Sequence, residues 1–361
     1  MKRSTKIISS LLSLSIAGTG LFLGIANADM LDYDVESINK VDNFIEIVSE
    51  DIDSITIKKK NDEKFKVLMF TDLHLNRTKE ENKVAIQYLV KNITEQKPDL
   101  VIFGGDTVSS GLSKRLTEEF AEVMEKLGVY WAAVLGNHDG EGVYTYSRKE
   151  IIDLYASYDY CLIRQGLDNI DGNGNFTINI LNADNSLQEV FFLLDSGDYM
   201  SNETKKQYGI TNKGQVYDGV KESQVKWYKD KNDAIEAEYG EFKSIAVLHI
   251  PPFECGDAEN YEFLYGDKYE GVCQSGFNSG LVDAFIEKGS TKAVYFGHDH
   301  INDFGYMYKD ILFSYIQSSG YGSYNMKSSK KAPENEWLQG CTLLTLNYDG
   351  TFEAERIFNH K

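Results

Sequence analysis

Apolar and polar blocks alternate along the first half of the chain, between residues 65 and 135. Three short runs are apolar throughout, as expected for strands that are buried on both faces of a parallel sheet: residues 67–70, 100–103 and 130–135. Two longer stretches between them, 80–96 and 114–127, predict helices. This order of strand, helix, strand, helix and strand predicts a parallel βαβαβ unit.

After residue 175 the pattern becomes mixed. The pattern predicts two antiparallel strands, 176–180 and 189–194, joined by a polar turn. It then predicts a helix at 221–237, a strand at 244–248, a helix at 279–288 and a strand at 293–296. Four short strands follow at 304–308, 311–316, 340–347 and 352–357. The loop at 251–278 is unusually long for a compact domain, and such loops usually have a function. We therefore predict one large α/β domain over residues 65–358.

Residues 29–64 are polar and acidic, with short apolar patches at 44–48 and 55–57. This composition predicts an N-terminal extension, in the form of a hairpin laid on the edge of the domain. It does not predict a separate domain.

The first 28 residues have the pattern of a signal peptide. Lys2, Arg3 and Lys6 form a positive start, an apolar stretch follows at 7–25, and residues 26–28 read Ala-Asn-Ala, a small-x-small cleavage site before Asp29. An uncleaved membrane anchor is the alternative, because the apolar stretch is nearly long enough to span a bilayer. We expect cleavage, with a secreted or extracytoplasmic protein that has no stable membrane insertion afterwards.

The formal charge of the 361-residue chain is −19, and loss of Lys2, Arg3 and Lys6 with the leader would take it to −22. Such a charge argues against nucleic acid or an anionic membrane as a bulk partner. It leaves a phosphate ester possible, because bound divalent cations reverse the field locally. The four cysteines are too few for a disulfide framework. Cys255 and Cys273 flank one loop. The sequence is equally consistent with a disulfide between them and with two free thiols.

Polar motifs follow five of the predicted strands, and together they contain five of the six histidines. They are Asp72-Leu73-His74, Gly105-Asp106, Gly136-Asn137-His138-Asp139, His249 and Gly297-His298-Asp299-His300. Ligand crevices form at the carboxyl ends of strands in open α/β sheets. Imidazole with carboxylate and amide oxygen is a typical ligand set for transition metals. The motifs therefore predict a centre of two divalent metal ions that is used for chemistry.

The five motifs, in this order, resemble those of the calcineurin-like metallophosphoesterase superfamily over about residues 67–303. The segments 195–199, 271–274 and 297–304 resemble the branch that contains the purple-acid-phosphatase-like proteins of plants and the Dcr2-type phosphatases of fungi. The resemblance implies a four-layer α/β/β/α sandwich of two mixed β-sheets. It also implies hydrolysis of a phosphate ester by a hydroxide that bridges two ions.

The resemblance assigns a role to each motif residue. It implies one ion held by Asp72, His74 and His300, another held by Asn137, His249 and His298, and Asp106 as the bridge between them. His138 would act in catalysis without binding metal, with Asp139 orienting its ring. Purple acid phosphatases proper carry a tyrosine ligand three residues after the bridging aspartate, where this chain has Ser109. A purple ferric centre is therefore not expected, and Mn, Fe or Zn ions all suit the ligands.

The narrower resemblance, to the branch of plant and fungal proteins, favours phosphate monoesterase or protein-phosphatase-like activity. Two alternatives are a phosphodiesterase acting on nucleotide or lipid-type diesters and a non-catalytic surface protein that is stabilised by its metals. The metal identities, the natural substrate and the oligomeric state do not follow from the sequence.

Overall fold

The structure is a computed structural model that describes residues 30–42, 44–60, 63–109, 113–326 and 339–359. The predicted signal peptide at residues 1–28 lies outside the described residues. In the part of the chain that is described, no helix combines the length and the apolar character that a membrane crossing requires.

The described residues form fourteen strands and six α-helices, with 3₁₀ turns at Val35–Ser37 and Phe253–Asn260. In chain order the elements are β1 (Ile45–Asp51), β2 (Ser54–Lys59), β3 (Phe65–Phe70), α1 (Lys79–Gln96), β4 (Leu100–Phe103), α2 (Ser113–Leu127), β5 (Tyr130–Ala133), α3 (Arg148–Tyr155), β6 (Phe176–Leu181), β7 (Leu187–Leu193), α4 (Asn202–Gln207), α5 (Glu222–Tyr239), β8 (Ser244–Val247), β9 (Phe263–Tyr265), α6 (Leu281–Lys288), β10 (Thr291–Phe296), β11 (Gly305–Tyr308), β12 (Ile311–Tyr315), β13 (Gly340–Leu346) and β14 (Phe352–Phe358).

The smaller sheet has the strand order β14-β13-β3-β4-β5. Its β3, β4 and β5 are parallel and pair in register, with Val67 opposite Leu100 and Leu100 opposite Tyr130. This is the predicted βαβαβ unit. The late strand β13 returns antiparallel to β3 and extends the sheet.

The larger sheet has nine strands in the order β1-β2-β6-β7-β8-β10-β12-β11-β9. Strands β7, β8, β10 and β12 are parallel neighbours, so β8 and β10 end side by side. The N-terminal segment forms the expected hairpin of β1 and β2, and β2 also pairs in parallel with β6. The segment therefore supplies two strands of the larger sheet.

The side chains of β7 show how the layers are stacked. Val190 and Phe192 pack with α5 and α6, whereas Phe191 and Leu193 point to the other face and join the core between the two sheets. Successive side chains of a strand face opposite ways, so this alternation places helices on one face of the larger sheet and the smaller sheet on the other. Helices α1, α2 and α3 contribute apolar residues to the core of the smaller sheet. The predicted α/β fold with two mixed sheets is confirmed.

The structure also differs locally from the predictions, and the short helix α4 was among the elements not predicted. The strand predicted at 130–135 ends at Ala133, because the chain then turns toward the motif residues. Helix α3 was missed, although Ser147 and Glu150 form a capping box, a sequence signal that marks a helix start. The loop predicted at 251–278 contains a 3₁₀ segment and β9, a short edge strand that pairs with β11.

Candidate metal centre

All five polar motifs lie where strands end, and the two sheets bring these ends together. Two glycines allow the close approach. A Cβ atom on Gly136 would lie 2.1 Å from Asp106 Oδ1, and one on Gly297 would lie 2.1 Å from Thr71 Oγ1 and 2.6 Å from Asp72 Oδ2. All three distances are shorter than van der Waals contact, so any larger residue would push the motifs apart.

Four of the candidate ligands have left-handed backbone conformations. The φ angles are 53° for Asp72, 46° for His74, 51° for Asp106 and 79° for His298. Such angles cost roughly 1–3 kcal/mol each in residues other than glycine, and they cluster at functional sites. The rest of the fold therefore holds these four side chains in place at the expense of local strain.

One group of ligand atoms comes from Asp72, His74, Asp106 and His300, and all of them lie within 4.8 Å of one another. His74 Nε2 is 2.9 Å from His300 Nε2. His300 Nε2 is 3.4 Å from Asp72 Oδ1, and His74 Nε2 is 3.5 Å from Asp106 Oδ2. All four residues are buried. These separations are those of atoms that can share one ion.

A second group is formed by Asp106, His249 and His298, again with all ligand atoms within 4.8 Å. His249 Nε2 lies 3.2 Å from Asp106 Oδ2 and 3.2 Å from the amide oxygen of Asn137. Asn137 thus adds an oxygen to this group. Asp106 belongs to both groups, and this is the position that a bridging carboxylate requires.

The two aspartates provide the test of whether a metal fits. Asp72 Oδ2 accepts hydrogen bonds from the Thr71 hydroxyl and the His298 N–H, each at 3.0 Å, and Asp106 Oδ1 accepts from the His138 N–H at 2.8 Å. The other oxygens, Asp72 Oδ1 and Asp106 Oδ2, are buried without a hydrogen-bond partner among the described residues. A buried carboxylate oxygen without a hydrogen bond is costly unless positive charge lies against it, and the groups that converge on these two oxygens are the metal-binding rings of His74, His249 and His300. The residues present therefore fit a metal centre.

Hydrogen bonds outside the centre orient several of the candidate ligands. His249 Nδ1 contacts the Gly104 carbonyl at 2.8 Å, and His300 Nδ1 contacts the Tyr324 carbonyl at 3.0 Å, so each ring directs Nε2 inward. The amide nitrogen of Asn137 donates to the Tyr199 hydroxyl at 3.1 Å and leaves Oδ1 facing His249. Such outer contacts fix the tautomer and the ring orientation of metal-binding residues.

The electrostatics of the centre favour positive charge. Burial acts to lower the pKa of His249, but the negative charges of Asp106 and Asp72 outweigh it and raise the pKa to about 9. Burial acts to raise the pKa of Asp106, yet the neighbouring His249 holds it below the usual range. Burial, together with the charge of His249, lowers the pKa of His298 to about 3 and favours the neutral ring.

His138 lies beside the centre, with its ring centroid 5.3 Å from that of His74 and 34% of its side chain exposed. The prediction that Asp139 orients this ring is wrong. The Asp139 carboxylate accepts the backbone N–H groups of Thr107, Val108 and Gly136 at 2.9–3.1 Å. Through these bonds Asp139 holds the loop after β4 against the loop after β5. His138 Nδ1 instead contacts the Glu141 carboxylate, which sequence reasoning missed.

A buried ion pair beneath the centre was also missed. Arg148 Nη2 lies 2.5 Å from Asp195 Oδ1 and 3.2 Å from the Leu135 carbonyl, and Nη1 contacts the Gly136 carbonyl. Arg148 thereby supports the loop that carries Asn137 and His138. Asp195 lies in the segment 195–199 that carries the family resemblance. Its partner Arg148 begins α3, the helix that the sequence analysis did not predict.

Tyrosine rings pack against two histidines of the candidate centre, His298 and His300. The ring of Tyr217 meets His298 edge-on at 4.3 Å and stacks on Tyr199 at 5.5 Å. The ring of Tyr324 stacks on His300 at 4.3 Å. The four cysteines, all among the described residues, are free thiols; Cys273 reaches the edge of the centre, where its N–H donates to Asp299.

Comparisons with known proteins agree with this geometry. The family model of the calcineurin-like phosphoesterases matches residues 65–302. The chain is 31% identical to probable inactive purple acid phosphatase 14 of Arabidopsis thaliana over 73% of its own length and 72% of that protein. It is 28% identical to phosphatase DCR2 of Saccharomyces cerevisiae over 67% of its length, but it spans only 45% of that protein.

Among solved structures, a dimetal phosphatase from Danio rerio has a similar fold, with a TM-score of 0.53 and 15% identity, covering 82% of this chain and 96% of that one. The family match covers well over half of the chain and includes every strand-end motif. The chain therefore belongs to the calcineurin-like phosphoesterase family of metal-dependent phosphoric ester hydrolases.

Proposed function

We propose that this protein is exported and hydrolyses phosphate monoesters at a centre of two divalent ions. One observation carries the proposal. Asp72 Oδ1 and Asp106 Oδ2 are buried and make no hydrogen bond among the described residues, while the ring nitrogens of His74, His249 and His300 converge on them at 3.2–4.0 Å. Export is supported by the leader-like residues 1–28.

The ligand atoms divide into two sites. Asp72, His74 and His300 would hold one ion, and Asn137, His249 and His298 would hold the other. Asp106 would contribute to both. Bound there, the ions would supply the Lewis acidity that activates water and neutralises charge on the phosphoryl group.

His138 is proposed as the proton donor. It is the one histidine of the five motifs that lies in neither group of ligand atoms, and its ring is partly exposed beside His74. In the reaction a water oxygen forms a bond to phosphorus, the bond from phosphorus to the ester oxygen breaks, and the Nε2 proton of His138 passes to that ester oxygen. The proton released by the water replaces it.

A non-catalytic, metal-stabilised protein is the second candidate. It is favoured by the names of similar Arabidopsis proteins, which are probable inactive purple acid phosphatases. A purely structural site has no need of a partly exposed histidine beside its ligands, so we favour the enzyme.

The test is metal analysis on the exported protein purified without chelators, followed by assays with para-nitrophenyl phosphate and its bis ester. Two equivalents of metal and faster cleavage of the monoester support the proposal. Preference for the bis ester would indicate a phosphodiesterase. Two metals without turnover of either ester, of phosphopeptides or of nucleotides would identify the non-catalytic alternative. N-terminal sequencing checks cleavage before Asp29.

A further inference from the structure

A tight turn places Glu141 beside His138. The backbone N–H of Glu141 donates to the His138 carbonyl at 3.0 Å and closes a four-residue turn. Gly140, the third residue of this turn, has φ +94°, a conformation that favours glycine. The Glu141 carboxylate then reaches His138 Nδ1. The backbone path of the turn therefore brings the two side chains within reach of each other.

The rest of the turn is anchored independently of this contact. The His138 N–H donates to Asp106 Oδ1 at 2.8 Å, which fixes the backbone at this residue. The buried Asp139 carboxylate is occupied by three backbone N–H groups. These anchors fix the backbone of the turn but not the orientation of the His138 imidazole. The Glu141 carboxylate contacts Nδ1 of that ring.

We propose that Glu141 is a positioning residue for His138, and this inference rests on the proposed function. By accepting a hydrogen bond from the Nδ1–H, Glu141 sets the ring angle and leaves Nε2 to face the ester oxygen of the substrate. The ring that donates the Nε2 proton carries a proton on both nitrogens, and it keeps the Nδ1–H bonded to Glu141 after the transfer. Glu141 itself touches no reacting atom. Its side chain is 52% exposed, and exposed ion pairs contribute little to stability, so the effect of losing it falls on turnover and not on folding.

The leaving group distinguishes this role from a structural one. Para-nitrophenolate departs as a stable anion and needs little proton donation, whereas phenolate is more basic and needs it more. The two aryl phosphates have almost the same shape, so binding differences are small. A variant with a misplaced proton donor therefore loses more turnover with phenyl phosphate than with para-nitrophenyl phosphate.

The experiment compares Glu141→Ala, Glu141→Gln and the control Val143→Ala, which changes an 86% exposed residue of the same loop. We expect Glu141→Ala to lower kcat for phenyl phosphate by about ten- to a hundred-fold, with a smaller loss for para-nitrophenyl phosphate, little change in KM and unchanged metal content. Glu141→Gln, which keeps an acceptor oxygen, should retain more activity than Glu141→Ala. The control should match the wild type.

A second comparison places Glu141→Ala in a His138→Ala background, where it should have no further effect because it acts through His138. An equal loss with both esters, or a full further loss in the His138→Ala background, would overturn the proposal. Wild-type protein that turns over neither these esters nor phosphopeptides or nucleotides would instead refute the proposed function. Wild-type turnover with an unaffected Glu141→Ala variant would refute only the positioning role.

Discussion

Asp72 and Asp106 face each other across a single imidazole: His74 Nε2 lies 3.7 Å from Asp72 Oδ1 and 3.5 Å from Asp106 Oδ2. Both oxygens are buried and without a hydrogen-bond partner among the described residues. Two carboxylates held this close repel each other unless positive charge lies between them. A metal ion bound between them would supply that charge.

Metal should therefore stabilise the wild type measurably. At a free metal concentration about 100 times the dissociation constant, we expect a gain of about 2.7 kcal/mol in the free energy of unfolding. Asp106→Asn should lose most of this gain, because both groups of ligand atoms use Asp106. Thermal melts with chelator and with added Mn or Zn provide the measurement. Asp153→Asn, an exposed residue, is the control; an equal metal-induced shift in Asp106→Asn would contradict the assignment.

His138→Ala should separate catalysis from metal binding. We expect turnover to fall by about 10²–10⁴, the usual contribution of general acid catalysis, while the metal content stays unchanged. The reason is that the side chain lies in neither group of ligand atoms. Metal analysis and ester assays on the same preparation check this. A loss of bound metal would show that His138 is a ligand.

Asp139→Ala should act on stability first. It leaves the N–H groups of Thr107, Val108 and Gly136 without their acceptor, and a buried donor without a partner costs about 1–3 kcal/mol. Urea unfolding of the metal-loaded protein measures this, with His138→Ala as the comparison that should unfold like the wild type. If Asp139→Ala unfolds at the wild-type urea concentration but loses turnover, the residue is catalytic after all.

Arg148→Met should destabilise the protein by about 3–5 kcal/mol, because it leaves Asp195 as a buried charge without its partner. Adding Asp195→Asn removes that charge, so the double variant should be more stable than the sum of the two single losses predicts. Denaturant unfolding of the four proteins forms the cycle. Strict additivity would show that the two side chains are energetically independent.

Glu189 predicts a pH dependence away from the metal centre. This β7 residue is buried, and burial raises its pKa to about 8 from an ordinary 4.5, against the opposing effects of the Val190 N–H and Lys243. The folded state therefore keeps a proton that the unfolded state has released. Stability should fall as the pH rises from about 4.5 to about 8 and level off above that range.

Glu189→Gln should flatten that decline, because glutamine cannot ionise. The difference between wild type and variant should reach on the order of a few kcal/mol at high pH. Urea unfolding at pH 5 and pH 8.5 measures it, and Glu238→Gln is a matched exposed control. Parallel pH profiles for Glu189→Gln and the wild type would refute the prediction.

Much of the fold could be predicted from local patterns. The runs of apolar residues that become β3, β4 and β10 are buried on both faces, and so their hydrophobicity alone identifies them as strands. Helix α3 escaped prediction because it is short, and its start is marked by a capping box more than by apolar periodicity. The pairing of β2 with β6 joins residues far apart in the chain, and no local pattern encodes such a pairing.

By itself the sequence determined which residues could bind metal, because imidazole, carboxylate and amide groups are set by residue type, and strand ends by hydrophobicity. Only the tertiary structure decided which contacts each of those residues and its acidic neighbours make. Asp139 and Glu141 are both acidic neighbours of His138, yet one accepts three backbone N–H groups and the other contacts the ring. That choice depends on the turn at Gly140 and on loops from other strands, and contacts between distant segments exist only once the sheets have assembled.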